Sequence, residues 1–438
     1  MVWPGSGSPC FGELRIHCVE LPHSFICLST IKTDAPRQRH FSHRSLAWLL
    51  DMDHQLPARL RSLQEITAAL VEARIAPQAS LVDETSQWPA HSMKALGEAG
   101  LLGLMVPEAL GGHGQGLLGL SVITETIAAA CPSSALCFGM HCVGTAVIAA
   151  KATEFQQQRY LREIAEGRHI TTLALSEHGS GAHFYLPETT LDIEADGFRL
   201  SGTKQFVTNG GQADSYVVST VARDDQGDSG DFSCVIVDRD AHGVTWLDHW
   251  KGFGMRGNSS RPMRLEQTRV PQENLLGEKG DQVWYVFEVV APFFLMAMAG
   301  TYLGLAQAAL DAAGEHLRAR RYSHSGESLR DVESLQVRYA EMWTAVEKTR
   351  ALIREAGRRG DTGHPDALPW ILSCKADAGE TAVWLANETM TICGGAAYRD
   401  NSRIAQVLRD ARAAHVMSPT TDLLKQWTGR SLLGLPLL

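Results

Sequence analysis

The sequence carries no surplus of positive charge. Its 438 residues hold 40 lysines and arginines against 49 aspartates and glutamates, a formal net charge of −9. With a pI near 6.0, this balance argues against a nucleic-acid backbone as partner. A cysteine framework is also missing. The nine cysteines lack paired or metal-like spacing, Cys137 and Cys142 coming closest, and no histidine completes a metal site. Such usage fits reduced thiols in a cytoplasmic protein, with cysteine serving as a small buried hydrophobe. Nor do the first fifty residues show the basic-then-apolar layout of a secretory leader. They mix proline, histidine and cysteine without a period, and acidic residues are few between Ile31 and Leu50. Residues 1–51 are therefore expected to be a disordered extension, a transit peptide being the alternative, with Met52 as the natural beginning.

What is present has ordinary globular make-up. Hydrophobic residues make up 44% and charged residues 20%, and the length suffices for a sizeable core in two or three domains. From Leu56 a helical period sets in, with Leu60, Leu63, Ile66, Leu70 and Ala73 on one face. A short helix over 91–99 leads to LLGLMVPEALGGHGQG. Its glycines look like a phosphate loop but lack a strand-to-helix frame, so a surface loop is expected. Helices are expected around 117–130, 134–150 and 153–166, then strands, including 215–222, 232–237, 243–246 and 264–266. From Gln282 the pattern is helical again, over 304–320, 329–360, 366–393 and from Ser402, enough for a four-helix bundle. Residues 289–310 carry no charged side chain, close to the ~20 apolar residues of a membrane span. Pro292, Thr301, Tyr302 and Gln307 interrupt that run and its flanks show no positive bias, so it reads as bundle core and no membrane span is expected.

The most informative stretch is 173–211. A short apolar strand breaks into Ser176-Glu177-His178-Gly179-Ser180-Gly181. Alternation at Phe198 and Leu200, then at Phe206 and Thr208, is strand-like, and Ala195-Asp196-Gly197 signals a hairpin turn. The stretch closes on Phe206-Val207-Thr208-Asn209-Gly210-Gly211. Glycines at such turns let backbone N–H groups approach an anion with no Cβ in the way. Together S-E-x-G-S-G and G-x-K-x-F-V-T-N-G-G resemble the middle β-domain of acyl-CoA dehydrogenases. L-x-V-P-E-x-x-G-G upstream resembles the N-terminal domain of that family. T-I-C-G-G-A-A-Y, V-L-R-D-A-R and T-G-R-S-L-L-G downstream resemble its C-terminal domain.

The resemblance covers roughly residues 56–433 and implies an α+β fold. An N-terminal helical domain (52–169) would precede a central antiparallel β-barrel or sandwich domain (170–279) and a C-terminal four-helix bundle (280–438). It implies FAD as cofactor and an acyl thioester, on CoA or an acyl-carrier protein, as substrate. It further implies an electron-transfer flavoprotein or O2 as acceptor, and a homodimer or homotetramer. Leu175, Ser176, Phe206 and Thr208 would flank the flavin ring. Arg320 matches the arginine that reaches FAD phosphates of a neighbouring subunit, a role suited to a bidentate guanidinium. Gly394 and Gly395 match the turn that passes FAD across the dimer interface, and Thr420 and Asp422 the contacts to its adenosine part. Gly300 and Gly304 would let a flavin or a neighbouring helix come close. Two positions depart from the pattern: Ser323 stands where an aromatic is usual and Thr391 where a glutamine is usual. Arg256, Arg261 and Arg264 read as a solvated strand face rather than receptors for an acidic group.

The family's reaction removes an α-proton from the thioester while hydride passes from the β-carbon to flavin N5, so a general base must lie within hydrogen-bond reach. Usually a glutamate follows R-D-A, in Y-E-G; here Ser418 occupies that slot. The alternative slot on the first bundle helix falls at Phe294, with Leu295 in place of the arginine beside it. Glu288, nearly two turns upstream, would point about 120° away around the helix. Asp422 is the first candidate for a relocated base and His415 the second, their structural alternatives being a cofactor or capping contact and a packed helix residue. Two functions remain on one scaffold. The first is a flavin dehydrogenase with a relocated base. The other is a flavin monooxygenase or oxidase that needs no base and is walled by Phe293-Phe294-Leu295. A non-catalytic flavin-binding protein is the third reading. The dehydrogenase stands first because that reaction dominates the family.

Overall fold

In α1 (Ala58–Leu70) and the π-turn that continues it, Val71–Ile75, the inward residues are Leu60, Leu63, Val71 and Ile75. Ile66 and Ala73, expected on that face, are exposed instead; Thr67 and Ala68 turn inward in place of Ile66. The computed structural model describes residues 56–438 apart from residue 182 and residues 224–228, so the expected extension over 1–51 lies outside the described residues. Two short helices, α2 (Ala79–Thr85) and α3 (Ala90–Glu98), lead into 3-10 turns at Leu101–Met105 and Glu108–Leu110. That segment is not the surface loop expected of it. Leu101, Leu102, Leu104 and Val106 are buried, and Gly112 lies so close to Val106 that a Cβ would overlap it.

Two helices buried along nearly their whole length follow, α4 (Leu117–Ala128) and α5 (Pro132–Ala150). On α5 His141 is buried between two backbone groups. Its Nε2 lies 2.9 Å from the Leu102 carbonyl, and its Nδ1 accepts the Thr171 N–H at 3.1 Å. Only a neutral ring protonated on Nε2 serves both partners. Burial pushes its pKa down to about 4. Because the folded-state value lies below the unfolded one, this residue's contribution is present above about pH 6.5 and is lost as pH falls towards 4. We therefore expect stability measured by chemical denaturation to fall by about 3 kcal/mol more over that window in the wild type than in His141→Gln.

Among the described residues all eight strands fall between Thr171 and Leu276: β1 (Thr171–Ala174), β2 (Thr190–Glu194), β3 (Gly197–Val207), β4 (Ser215–Arg223), β5 (Ser229–Asp238), β6 (Val244–Trp246), β7 (Arg261–Pro271) and β8 (Leu275–Leu276). They form one sheet in the order β6-β7-β3-β2-β4-β5-β8, with β1 also on β4. Most pairs are antiparallel, but β1 and β2 both run parallel to β4, β1 along Ser215–Val218 and β2 at Val221–Ala222. Between them the chain from Leu175 to Thr189 leaves the sheet. Phe198, Leu200, Tyr216, Val218, Val235 and Leu265 fill a core of the sheet's own.

The C-terminal part opens on a π-turn, Tyr285–Val290, and α6 (Ala291–Ala319), which merges the uncharged run with the helix expected at 304–320. Its Gly300 and Gly304 sit against α4, where a Cβ would strike the carbonyls of Ser121 and Glu125; the close neighbour is a helix. α7 (Glu333–Asp361) and α8 (Ala367–Cys393) follow as expected. The last expected helix is two, α9 (Arg403–Val416) and α10 (Thr421–Leu432), broken at residues 417–420, where Pro419 has no N–H to continue the ladder. Both α5 and the helix over Gln282–Ala319 are apolar and long enough to cross a membrane, but 89% and 78% of their most apolar windows are buried inside the protein. Six cysteines lie among the described residues, all free and buried.

Candidate active site

A cavity of about 810 Å³ opens where helices and sheet meet, a size usual for small-molecule and cofactor sites. The sheet wall carries Leu175, Ser176, Phe206 and Thr208. Two strand ends are stitched there, since the Gln205 N–H donates to the Ser176 carbonyl at 2.7 Å and Thr172 Oγ1 to the Thr208 carbonyl at 3.0 Å. Phe206 takes a left-handed backbone, φ 53°, and the residue is 66% exposed although it lines the cavity. That turn flips the strand's alternation: Phe198 and Leu200 point into the sheet's core and Phe206 out of it. α5 adds Leu136 and Met140 to the walls, α6 adds Phe294, and the loop before β7 adds Trp250, Phe253 and Met255. Ser418 and Thr420 close the opposite side with Val416, Met417 and Pro419. The Thr208 hydroxyl, 3.3 Å from Ser260 Oγ, keeps a polar edge on an otherwise apolar wall. A flat aromatic ring system with a polar rim, such as a flavin, fits this lining.

The charges of the cavity are mostly spent. Glu177 lines it, yet its carboxylate accepts from Thr189 Oγ1 at 2.7 Å, from the N–H groups of Thr189 and Glu188 at 3.1 and 2.7 Å, and from the Lys204 ammonium. Burial pushes the Glu177 pKa up, but the Lys204 charge and these hydrogen bonds outweigh it and hold the carboxyl below its ordinary value. Lys204 itself is fully buried; burial lowers its pKa against the pull of Glu177. Arg409 donates to both oxygens of Asp83, at 3.0 and 2.5 Å. Behind it Asp410 accepts the Met255 N–H at 2.6 Å, and burial pushes its carboxyl up to about 6. Its bond fixes the left-handed Met255 (φ 50°), and Gly254 packs so tightly on the Arg409 carbonyl that a Cβ would overlap it. In this way α9 holds the loop that carries Trp250 and Phe253.

Six of the residues expected at the site thus share one cavity: Leu175, Ser176, Phe206, Thr208, Ser418 and Thr420. Four others do not line it. Arg320 is an exposed residue capping α6, and Gly394 and Gly395 form an exposed turn after α8 with nothing within 4 Å of an added Cβ. Asp422 sits exposed in the first turn of α10. It does not line the cavity, and in the first turn of α10 its exposed carboxylate complements the helix dipole. His415 is also absent from the lining, as is Glu288, which is exposed in the π-turn. Of the expected apolar wall, Phe294 lines the cavity, while Phe293 and Leu295 face elsewhere. Arg256, Arg261 and Arg264 stay outside too; Arg261 donates to the Leu247 carbonyl at 2.8 Å, and Arg264 lies 3.7 Å from Glu266.

Three domain models match the chain in order: acyl-CoA dehydrogenase N-terminal domain at 57–168, middle domain at 172–268 and C-terminal domain at 294–433. Cyclohex-1-ene-1-carbonyl-CoA dehydrogenase of Geobacter metallireducens is 29% identical over 360 residues, 82% of this chain and 94% of that protein. A chain solved in work on the electron transferring flavoprotein of Acidaminococcus fermentans superposes with a TM-score of 0.81 at 26% identity, covering 87% of this chain and all of that one. Butyryl-CoA dehydrogenase from Megasphaera elsdenii superposes at 0.82 with 24% identity, again over 87% of this chain and 100% of the other. Fold and cavity define a flavin-dependent oxidoreductase. The chain belongs to the acyl-CoA dehydrogenase family, and its cofactor is FAD.

Sequence reasoning missed the saturation of Glu177 by Lys204, the lining role of Trp250 and Phe253, and the buried Lys375 described below. A signal existed for the first. Lys204 shares the inward parity of Phe198 and Leu200 on β3, and an inward lysine calls for an acidic partner.

Proposed function

We propose that the chain oxidises an acyl thioester, carried on CoA or an acyl-carrier protein, by α,β-dehydrogenation with a base relocated from both family positions. The supporting observation is the acid inventory of the cavity: among the described residues that line it, the one carboxylate is Glu177, and its oxygens are already committed. Ser418 and Phe294 occupy the slots. FAD supplies the electron acceptor for the substrate when bound. The chain's own part is to hold the thioester against the apolar wall, exclude water and remove a proton. His178, though exposed at the cavity's edge, lines the cavity, no hydrogen bond or ion pair joins it to another described residue, and imidazole is the commonest general-base side chain. It replaces Asp422 as the first choice.

The acceptor beyond FAD is proposed to be an electron-transfer flavoprotein, and FAD is proposed to be shared across a homodimer or homotetramer. Arg320, Gly394 and Gly395, all exposed on one protomer, would serve the cofactor of the next. A cytoplasmic location is proposed, in keeping with the six described cysteines, which are all free.

Anaerobic mixing of the flavin-loaded protein with a panel of acyl thioesters tests this reading. Flavin bleaching with at least one of them is expected. His178→Gln should slow it by ~10²-fold, the usual scale for losing a general base, and Asp422→Asn should leave it unchanged. Should no thioester bleach the flavin, the dehydrogenase reading fails. The same acid-poor cavity favours a second reading, a monooxygenase, tested by O2-dependent oxygenation of the thioester with flavin reduced by NADH and a reductase.

A further inference from the structure

Behind the wall that carries Ser418 lies a lysine that no catalytic reading uses. Lys375 is on α8 and is fully buried. Its ammonium donates to three backbone carbonyls: Ala414 at 3.3 Å, Met417 at 2.7 Å and Pro419 at 2.7 Å. Three donors meet three acceptors, and none of these partners is a carboxylate. Met417 and Pro419 are the two neighbours of Ser418, while Ala414 belongs to the last turn of α9, where carbonyls lack intrahelical partners. A second contact bears on the same segment, since the buried Tyr302 hydroxyl lies 3.9 Å from Met417 Sδ. Burying a lysine without a counter-ion is costly, and burial pushes this one down to about 7. The three carbonyls and the helix C-terminus are what favour its charged form.

We propose that Lys375 is the positioning residue for the cavity wall at residues 417–420, fixing from behind the backbone on both sides of Ser418. The break between α9 and α10 has no ladder of its own, and Pro419 supplies no donor, so the ammonium takes the place that helical hydrogen bonds would otherwise fill. Ser418 and Thr420 owe their place in the cavity to it. The catalytic half of this inference rests on the acyl-thioester reading above, while the structural half does not.

The test uses the flavin-loaded full chain and the variants Lys375→Met and Lys375→Gln. Hydrogen exchange is read by peptide, and binding of a non-reacting acyl-CoA thioether by the flavin spectrum. Anaerobic reduction by the best thioester supplies the rate. In Lys375→Met, exchange over 414–421 should speed up by ~10-fold or more, the scale of one buried acceptor losing its donor, with other peptides unchanged. The limiting rate of flavin reduction should fall by ~10²-fold, as misplacement of a wall that orients the thioester predicts, with the thioether's Kd little altered. Lys375→Gln keeps two donors and should fall between Lys375→Met and the wild type; it decides alone if Lys375→Met does not fold. Unchanged exchange over 414–421 overturns the proposal, and so does a rise spread evenly over all peptides, which marks general stability. If no thioester reduces the wild-type flavin, the function reading fails while exchange still decides the role of Lys375.

Discussion

Ser418→Glu, made in the His178→Gln background, is expected to raise the rate of anaerobic flavin reduction by acyl-CoA ~10²-fold or more above His178→Gln alone, the span that a positioned general base contributes. Ser418 is at the slot that follows R-D-A and lines the cavity together with apolar residues such as Val416, Met417 and Phe294. A carboxylate placed there is poorly solvated, which raises its pKa towards neutrality and suits proton abstraction. Stopped-flow absorbance under anaerobic conditions measures the gain. A variant that binds FAD and acyl-CoA normally yet shows no gain would mean that the thioester does not adopt the pose this slot serves.

The second large effect concerns stability. Glu125→Ala should destabilise the protein by ~3–5 kcal/mol, the usual cost of breaking a buried ion pair from one side. Glu125, on α4, is fully buried. It accepts from Arg350 Nε at 3.0 Å and Arg354 Nη2 at 2.6 Å, both on α7. Arg350 also donates to Gln307 of α6 at 2.8 Å and contacts Glu347. Burial pushes the Glu125 pKa up, but Arg354 and Arg350 outweigh that and hold it below the ordinary range. Removing the carboxylate leaves two guanidinium groups in a space closed by the approach of α4 to α6 at Gly300 and Gly304. Thermal and urea unfolding should both show the loss. Glu125→Gln should recover only part of it, because the amide keeps one acceptor oxygen for one arginine but turns a donor towards the other and carries no charge.

The β-domain motifs were readable because they are turns with a strict backbone demand, and the strand ends at Ser176 and Thr208 appear where such turns place them. Helix arithmetic was less dependable. Ile66 faced outward within α1 itself, since each i+3 step falls about 60° short of a full turn, and Ala73 did so inside the π-turn at Val71–Ile75. A π-turn adds a residue per turn, so an angle counted at 100° per residue loses its meaning across it. The segment 101–116 was misjudged for a different reason. Glycine-rich composition signals a turn but not whether another layer covers it, and here Gly112 is small because Val106 lies against it. Asp422 was chosen by nearness in sequence to Ser418, but the break at residues 417–420 starts a new helix and turns that carboxylate away from the cavity. Lys375 stayed hidden because its partners are backbone carbonyls, which leave no trace in residue type.

The cavity has no owner among the three parts of the chain. Leu136 comes from α5, Phe206 from β3 and Phe294 from α6, so its walls exist only while helices and sheet are docked. A cofactor seated there binds the assembled state and no partly docked one, and stabilises that state by mass action in proportion to its free concentration. Yellow colour retained through purification is then a gauge of tertiary assembly as much as of cofactor supply, and a preparation that stays pale when FAD is added in excess is one in which the layers have begun to part.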